Sequence, residues 1–135
     1  MNNRLDHAEL HRLDTEGYVV RERVFTASEV QNLADACEKM VERVVRAVNH
    51  EKHSPKTTAG NYLFQTNRDL CTVVKWEPEY PDEVQGVEPF AHFDAALNAW
   101  GNDRRLTAPM LDLLGVDAVG LFTEKLNLKR RLVGG

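Results

Sequence analysis

FTASEVQNLADACEKMVERVVRAVN, residues 25–49, predicts one long amphipathic helix. Thr26 and Glu29 have the spacing of a capping box, in which a hydroxyl and a carboxylate satisfy two backbone amides, and Phe25 can pack on Val30 as a hydrophobic staple. Eight apolar residues then recur at intervals typical of one helix face: Val30, Leu33, Ala34, Cys37, Val41, Val44, Val45 and Val48. The β-branched valines of this stripe favour packing against a fairly flat sheet.

Shorter elements are predicted on either side of this helix. Residues 6–16 predict a short helix that Gly17 ends, and residues 18–25, with alternating arginines, are typical of a half-buried strand. Residues 50–70 carry Ser-Pro and Gly-Asn pairs, so we expect a long surface loop, which is a modest indication of a ligand site. Further along, the pattern predicts a strand at residues 71–76, short helices at 90–100 and 108–114, and a long final strand at 119–133.

The lack of an internal repeat, low-complexity tract or long linker indicates a single unit spanning residues 1–135. Apolar residues make up 42% and charged residues 28%, which is an ordinary globular mixture, and the net charge of −4 argues against a nucleic-acid partner. Because no apolar run reaches eighteen residues and the first twenty lack a signal-peptide core, we expect a soluble, cytoplasmic protein with no membrane partner. Cys37 and Cys71 lack CxxC spacing, so we expect reduced thiols in packed positions.

The remaining motif signals are weak. His7 and His11 are one helical turn apart, but no third ligand is marked, so a solvated helix face is a stronger interpretation than a metal site. His50 and His53 flank a helix end, where the carbonyl dipole favours a partly positive imidazole. Neither a glycine-rich nucleotide loop nor a G-x-S-x-G motif is present, which argues against nucleotide binding and serine hydrolysis.

His92-Phe93-Asp94 is the strongest metal candidate. An H-x-D pair supplies two of the three ligands of the facial triad that holds non-haem iron(II). However, no histidine follows His92, and Asp94 precedes a helical run in which it would be the N-cap. We therefore favour the cap, while a metal site built from His92, Asp94 and an upstream histidine stays open as an alternative.

Patterns near both ends of the chain occur in a similar order in a known enzyme family. DTEGYVV at residues 14–20 is followed by VFTASEV at 24–30, and LGVD at 114–117 is followed by KLNLKRRLVGG at 125–135. The first pair resembles the opening strand and helix start of the phytanoyl-CoA dioxygenase family, which are iron(II)- and 2-oxoglutarate-dependent oxygenases. The second pair resembles the strand and glycine-rich approach that lead into the family's H-x-D iron motif, so the resemblance spans nearly the whole chain.

This resemblance implies both a fold and an activity. The family fold is a double-stranded β-helix, a jelly-roll or cupin-like architecture, of which this chain would supply the N-terminal helices and edge strands as an incomplete α+β portion. The complete protein would use Fe(II), 2-oxoglutarate and O2 to hydroxylate a small organic substrate. Since the family's iron ligands would follow the last residue, we expect this chain alone to hold no cofactor and to be inactive.

The resemblance implies that two residues contribute to the cosubstrate site. Asn127 matches a place where related hydroxylases direct an amide toward 2-oxoglutarate, and Lys125 lies near positions that contribute to the cosubstrate or substrate pocket. Strand alternation places Lys125, Asn127 and Lys129 on one face. The alternative function is a non-catalytic binding or interaction module that docks a partner through the long helix and an exposed strand. The sequence predicts neither the substrate nor the oligomeric state.

Overall fold

The computed structural model describes residues 3–50 and 54–129, in which α-helices and one antiparallel sheet form an α+β fold. This confirms the predicted α+β class, while the jelly-roll architecture stays a prediction. The helices of this described part are α1 (His7–Glu16), α2 (Ala27–His50), α3 (Ala95–Gly101) and α4 (Arg104–Leu114), with a short 3-10 helix at Ala91–Phe93. The strands are β1 (Thr57–Ala59), β2 (Tyr62–Asn67), β3 (Thr72–Trp76), β4 (Val84–Glu88) and β5 (Leu126–Asn127).

The sheet is an antiparallel meander in the order β1-β2-β3-β4-β5. One row of paired residues runs across it: Gln65 faces Val74, Val74 faces Val87, and Val87 faces Leu126. Because side chains alternate between the two faces of a strand, the residues of this row, and those two positions away along each strand, project to the same side of the sheet. That side carries the core.

The long helix α2 packs on this side of the sheet, as its valine-rich stripe predicted. Val44 and Val48 of the helix are at most 1% exposed, as are Val74 and Val87 of the sheet, and all four belong to one apolar cluster. Burial of such side chains contributes about 1.5–3 kcal/mol each and is the main force that fixes the helix on the sheet. Val30, at the start of the stripe, lies outside this core and is 52% exposed.

The predicted start of α2 and the predicted end of α1 are both confirmed. Thr26 Oγ1 accepts the Glu29 amide at 3.2 Å, and the Glu29 carboxylate accepts the Thr26 amide at 2.7 Å, which completes the capping box of α2. Helix α1 ends at Gly17, whose φ of 79° lets its amide bond the Leu13 carbonyl at 2.9 Å. Phe25 lies against Trp100, with ring centroids 5.2 Å apart.

Two predictions about extended segments were wrong. Residues 18–25 form no strand, because their backbone pairs with no strand among the described residues and turns at Arg23, where φ is 56°. The expected loop at residues 50–70 instead contains β1 and β2, joined by a two-residue turn at Gly60-Asn61. Threonine and aromatic residues favour strands, and a Gly-Asn pair suits a tight hairpin, so the sequence of this segment does carry a strand signal.

The C-terminal segments also differ from expectation. In place of a long strand at residues 119–133, the described part of this segment has β5 alone, and residues 130–133 lie outside the described residues. Thr123 and Glu124 contact the sheet side through their side chains, which bond Glu88 and the Ala91 amide. Their backbone is not part of the β4–β5 pairing, which is confined to Leu126 and Asn127. Helix α4 begins at Arg104 rather than residue 108, because Asp103 caps it and Pro109 is accommodated inside.

Two further local predictions can be compared with the structure. The helix expected at residues 90–100 is divided at Asp94 into the 3-10 helix and α3. Cys37 and Cys71 are free thiols; Cys37 is half-buried, and burial raises the pKa of its thiol. The packed position predicted for Cys71 was wrong, since this residue is exposed in the turn between β2 and β3.

Candidate functional site

The sheet presents a second face on the side opposite α2. Phe64 pairs with Lys75, Lys75 with Gly86, and Gly86 with Asn127, so these positions alternate with the core row and point away from the helix. Phe64 and Lys75 are half-buried, whereas Asn127 is exposed. We call this surface the open face and define it by Phe64, Lys75, Gly86, Glu88, Lys125 and Asn127.

Gly86 brings β5 unusually close to β4. A Cβ at this position would lie 2.8 Å from the Leu126 carbonyl oxygen, 3.3 Å from Lys125 Cε and 3.6 Å from Asn127 Oδ1. The two side chains that we predicted for the cosubstrate therefore lie together, beside the bare backbone of Gly86. Lys129 is exposed but lies beyond the end of β5.

Sequence reasoning missed Gly86 and the pairing that depends on it. A glycine within a strand often marks a close approach of another backbone, so the signal was present in Val84–Glu88. The partner could not be named from the sequence, because β5 lies about forty residues further along the chain.

Glu88 is held at the edge of the open face by two donors. Its carboxylate accepts from Lys75 Nζ at 3.3 Å and from Thr123 Oγ1 at 3.1 Å. The bond from Lys75 and then the bond from Thr123 lower the pKa of Glu88, and the charge of Lys125 adds to the effect. Glu88 is thus an anion that links β3, β4 and the segment leading into β5.

Lys125 and Asn127 give this face the means to recognise a carboxylate. Both side chains are exposed, and Lys125 forms no direct ion pair with any residue that the structure describes. An ammonium group offers up to three donors and a primary amide two, so together they can bond an anionic oxygen from adjacent positions. Bonds from a charged donor to a carboxylate are stronger than neutral ones.

His92 and Asp94 are engaged in other contacts. His92 Nε2 lies 2.8 Å from the Leu70 carbonyl oxygen, and the His92 ring lies 4.2 Å from that of Phe93. Asp94 Oδ1 accepts the amides of Ala96 and Leu97 at 2.7 and 3.3 Å, which confirms it as the N-cap of α3.

The donor set of the described residues does not fit iron(II). In the ranges 3–50 and 54–129, no three His, Cys, Asp or Glu side chains are grouped so that they could hold one ion. His53, one of the histidines considered above, lies outside these ranges. We therefore derive no chemical step through iron from these residues.

Comparison of the chain with protein-family models, with curated proteins and with solved structures found no match. The fold class thus comes from the structure itself, and the oxygenase assignment stays a prediction from the sequence. Among the described helices, none combines the length and the apolar character needed to cross a bilayer.

Proposed function

We propose that this chain is the N-terminal part of a phytanoyl-CoA dioxygenase-like protein. The complete protein would use Fe(II), 2-oxoglutarate and O2 to hydroxylate a small organic substrate. The observation that carries the proposal is the placement of Lys125 and Asn127 beside Gly86 on the open face of an antiparallel sheet. In a double-stranded β-helix two sheets face each other, so one sheet face covered by a helix and one face bearing polar donors fits that architecture.

In this proposal, Lys125 and Asn127 bind a carboxylate of 2-oxoglutarate. The ammonium group supplies the charge, and the Asn127 amide donates a directional bond that orients the acid. The contacts of Glu88 with Lys75 and Thr123 hold the segment that leads into Lys125, so Glu88 acts as a positioning residue. Iron and 2-oxoglutarate together would supply oxygen activation, and we assign the iron ligands to the part of the complete protein that follows residue 135.

The first test is the nucleotide sequence downstream of the Gly135 codon. We expect an in-frame H-x-D run shortly after it. The complete reading frame, supplied with Fe(II) and 2-oxoglutarate, should form succinate, whereas the 135-residue chain should not. A stop codon in place of that run, or robust turnover by the 135-residue chain, would overturn the proposal.

Variants of the complete protein then test the two residues. Asn127→Ala and Lys125→Ala should each raise the KM for 2-oxoglutarate, because a charge-assisted bond is worth roughly 1.5–3 kcal/mol, or about tenfold or more in affinity. Lys39→Ala, at an exposed position of α2, is the matched control and should leave this KM unchanged. If all three variants had the same KM for 2-oxoglutarate, Lys125 and Asn127 would not be part of the cosubstrate site.

Exposed apolar side chains favour a second candidate, a non-catalytic interaction module. Leu121 and Phe122, which are adjacent in the chain, are 55% and 99% exposed, and contiguous apolar exposure often marks a partner surface. Size exclusion and hydrogen exchange distinguish the candidates. A compact, cooperatively protected monomer supports the module, whereas aggregation or extensive fraying supports a part of a larger domain.

A further inference from the structure

A cavity of about 570 Å³ lies between α1, α4 and the segment that joins α1 to α2. This volume is within the range of small-molecule sites, which are mostly apolar with a few placed polar groups. The apolar lining includes Leu13 of α1, Val19 and Phe25 of the joining segment, and Leu106, Met110 and Leu113 of α4. The three α4 residues recur at helical spacing, so one face of α4 forms a continuous apolar wall.

Polar contacts at the rim hold these walls in place. Arg21 Nε of the joining segment binds Glu9 Oε1 of α1 at 2.6 Å. The Leu5 amide, just before α1, donates to Asp112 Oδ2 of α4 at 2.8 Å. These contacts fix the separation of α1, α4 and the joining segment, so apolar side chains face one another across a preformed space. A preformed site loses less conformational entropy when it binds a ligand.

The charged residues that line the cavity, within the described part of the chain, are Arg21, Arg23 and Arg105. Arg21 donates to Glu9 and to backbone carbonyls, and Arg105 is bound by Glu29 and Asp103. Arg23 is exposed and forms no ion pair with a described residue.

Arg23 also lines a neighbouring polar cavity of about 600 Å³. Arg23 therefore lines both an apolar cavity and a polar one. Within the described part of the chain, four cations and three anions line the polar cavity: Arg12, Arg21, Arg23, Arg105, Asp6, Glu9 and Glu22. A ligand that occupies both needs an apolar body and a hydrated polar end, and an anionic end would suit Arg23, which forms no ion pair with a described residue.

We propose that the apolar cavity binds a medium-chain acyl carboxylate, with its chain along α4 and its carboxylate at Arg23. The wall from Leu106 to Leu113 is about 10 Å long at the helical rise of 1.5 Å per residue, which suits a chain of medium length. A guanidinium can bond both oxygens of a carboxylate, so Arg23, which has no ion-pair partner in the part of the chain that the structure describes, supplies the complementary group. The proposal does not depend on the oxygenase function, because no residue of the open face lines this cavity.

Isothermal titration calorimetry of the chain with decanoate, octanoate and decanol tests this site. Decanoate should bind saturably at one site per chain. Octanoate should bind about tenfold more weakly, because each methylene contributes about 0.8 kcal/mol of burial. Decanol lacks the anion and should bind more weakly than decanoate.

Two variants test the residues. Arg23→Gln should weaken decanoate binding about tenfold while leaving decanol unchanged, and Arg46→Gln on α2 is the matched control that should change neither. Met110→Glu places a charge in the apolar wall and should abolish decanoate binding. Since Met110 is 42% exposed, this variant should retain the wild-type circular dichroism and melting temperature.

Several outcomes would overturn the proposal. One is the absence of saturable decanoate binding below about 1 mM. Another is binding that Arg23→Gln and Met110→Glu leave unchanged in folded protein. Binding to anionic vesicles without binding of monomeric decanoate would assign the surface to a membrane, and self-association that Met110→Glu abolishes would assign it to a second copy.

Discussion

Replacing Gly86 by alanine tests whether the β4–β5 pair depends on the missing side chain. The added Cβ would lie 2.8 Å from the Leu126 carbonyl oxygen, whereas ordinary Cβ contacts begin at 3.4 Å. The obstructing atom is paired backbone rather than the flexible end of a side chain, so β5 has to shift by about 0.6 Å. Overpacking of this kind costs roughly 1–3 kcal/mol.

Amide hydrogen exchange can measure the effect of this β5 shift at single residues. The Leu128 amide donates to the Gln85 carbonyl at 2.9 Å, so its protection reports the β4–β5 pair. Gly86→Ala should speed its exchange by roughly 5- to 150-fold, the equivalent of 1–3 kcal/mol. Amides of the central β2–β3 pair should change less, because their pairing does not involve position 86.

Gly101→Ala is the matched control for this substitution. A Cβ at Gly101, near the end of α3, meets no atom within 4 Å, and alanine is the better helix former by up to about 1 kcal/mol. This variant should be as stable as the wild type or more so, with unchanged exchange at Leu128. If Gly86→Ala matched the wild type in both Leu128 exchange and urea midpoint, the close approach of β5 at Gly86 would be refuted.

Three further predictions concern stability and reactivity. The guanidinium bonded to Glu9 lowers the pKa of this carboxyl from 4.5 to about 2, so its stabilising contribution is complete above pH 4.5 and is lost as the pH falls toward 2. Glu9→Gln should therefore reduce the pH dependence of the urea midpoint across that window, and Glu29 and Asp103, whose pKa values are also lowered to about 2, should keep the remainder. Leu97→Ala, at 1% exposure, should cost about 2–5 kcal/mol of unfolding free energy, whereas Leu114→Ala, at 62%, should change it by less than about 0.5 kcal/mol. Exposed Cys71 should react with a disulfide reagent well before Cys37, whose thiol pKa is raised by burial; equal labelling rates would contradict this placement.

The sequence predicted the helical elements well because their signals are local. Thr26 and Glu29 are three residues apart, and the capping bonds between them depend on nothing outside that turn. The N-cap at Asp94 was likewise predicted, because its carboxylate reaches amides only two and three residues ahead. The valine stripe of α2 even indicated the kind of surface that it packs against.

The errors fall on extended segments, for a physical reason. The backbone of a strand bonds another segment, so alternation along one segment cannot show whether a partner is present. Residues 18–25 have the alternating pattern of a strand, but no strand among the described residues pairs with them. By contrast, β1 and β2 pair with each other within residues 50–70, where the sequence predicts a loop. The exposure of Cys71 was missed for the same reason, since its turn exists only because β2 and β3 pair.

The caps and the apolar face of α2 could be predicted from the sequence, because their signals lie in residues a few positions apart. The sequence also identified Lys125 and Asn127 as candidates through a family resemblance. Their placement beside Gly86, and the bond by which Glu88 holds the segment before them, come from the folded chain. Those contacts join residues distant along the chain, and their geometry is set by strand pairing and packing rather than by any local propensity.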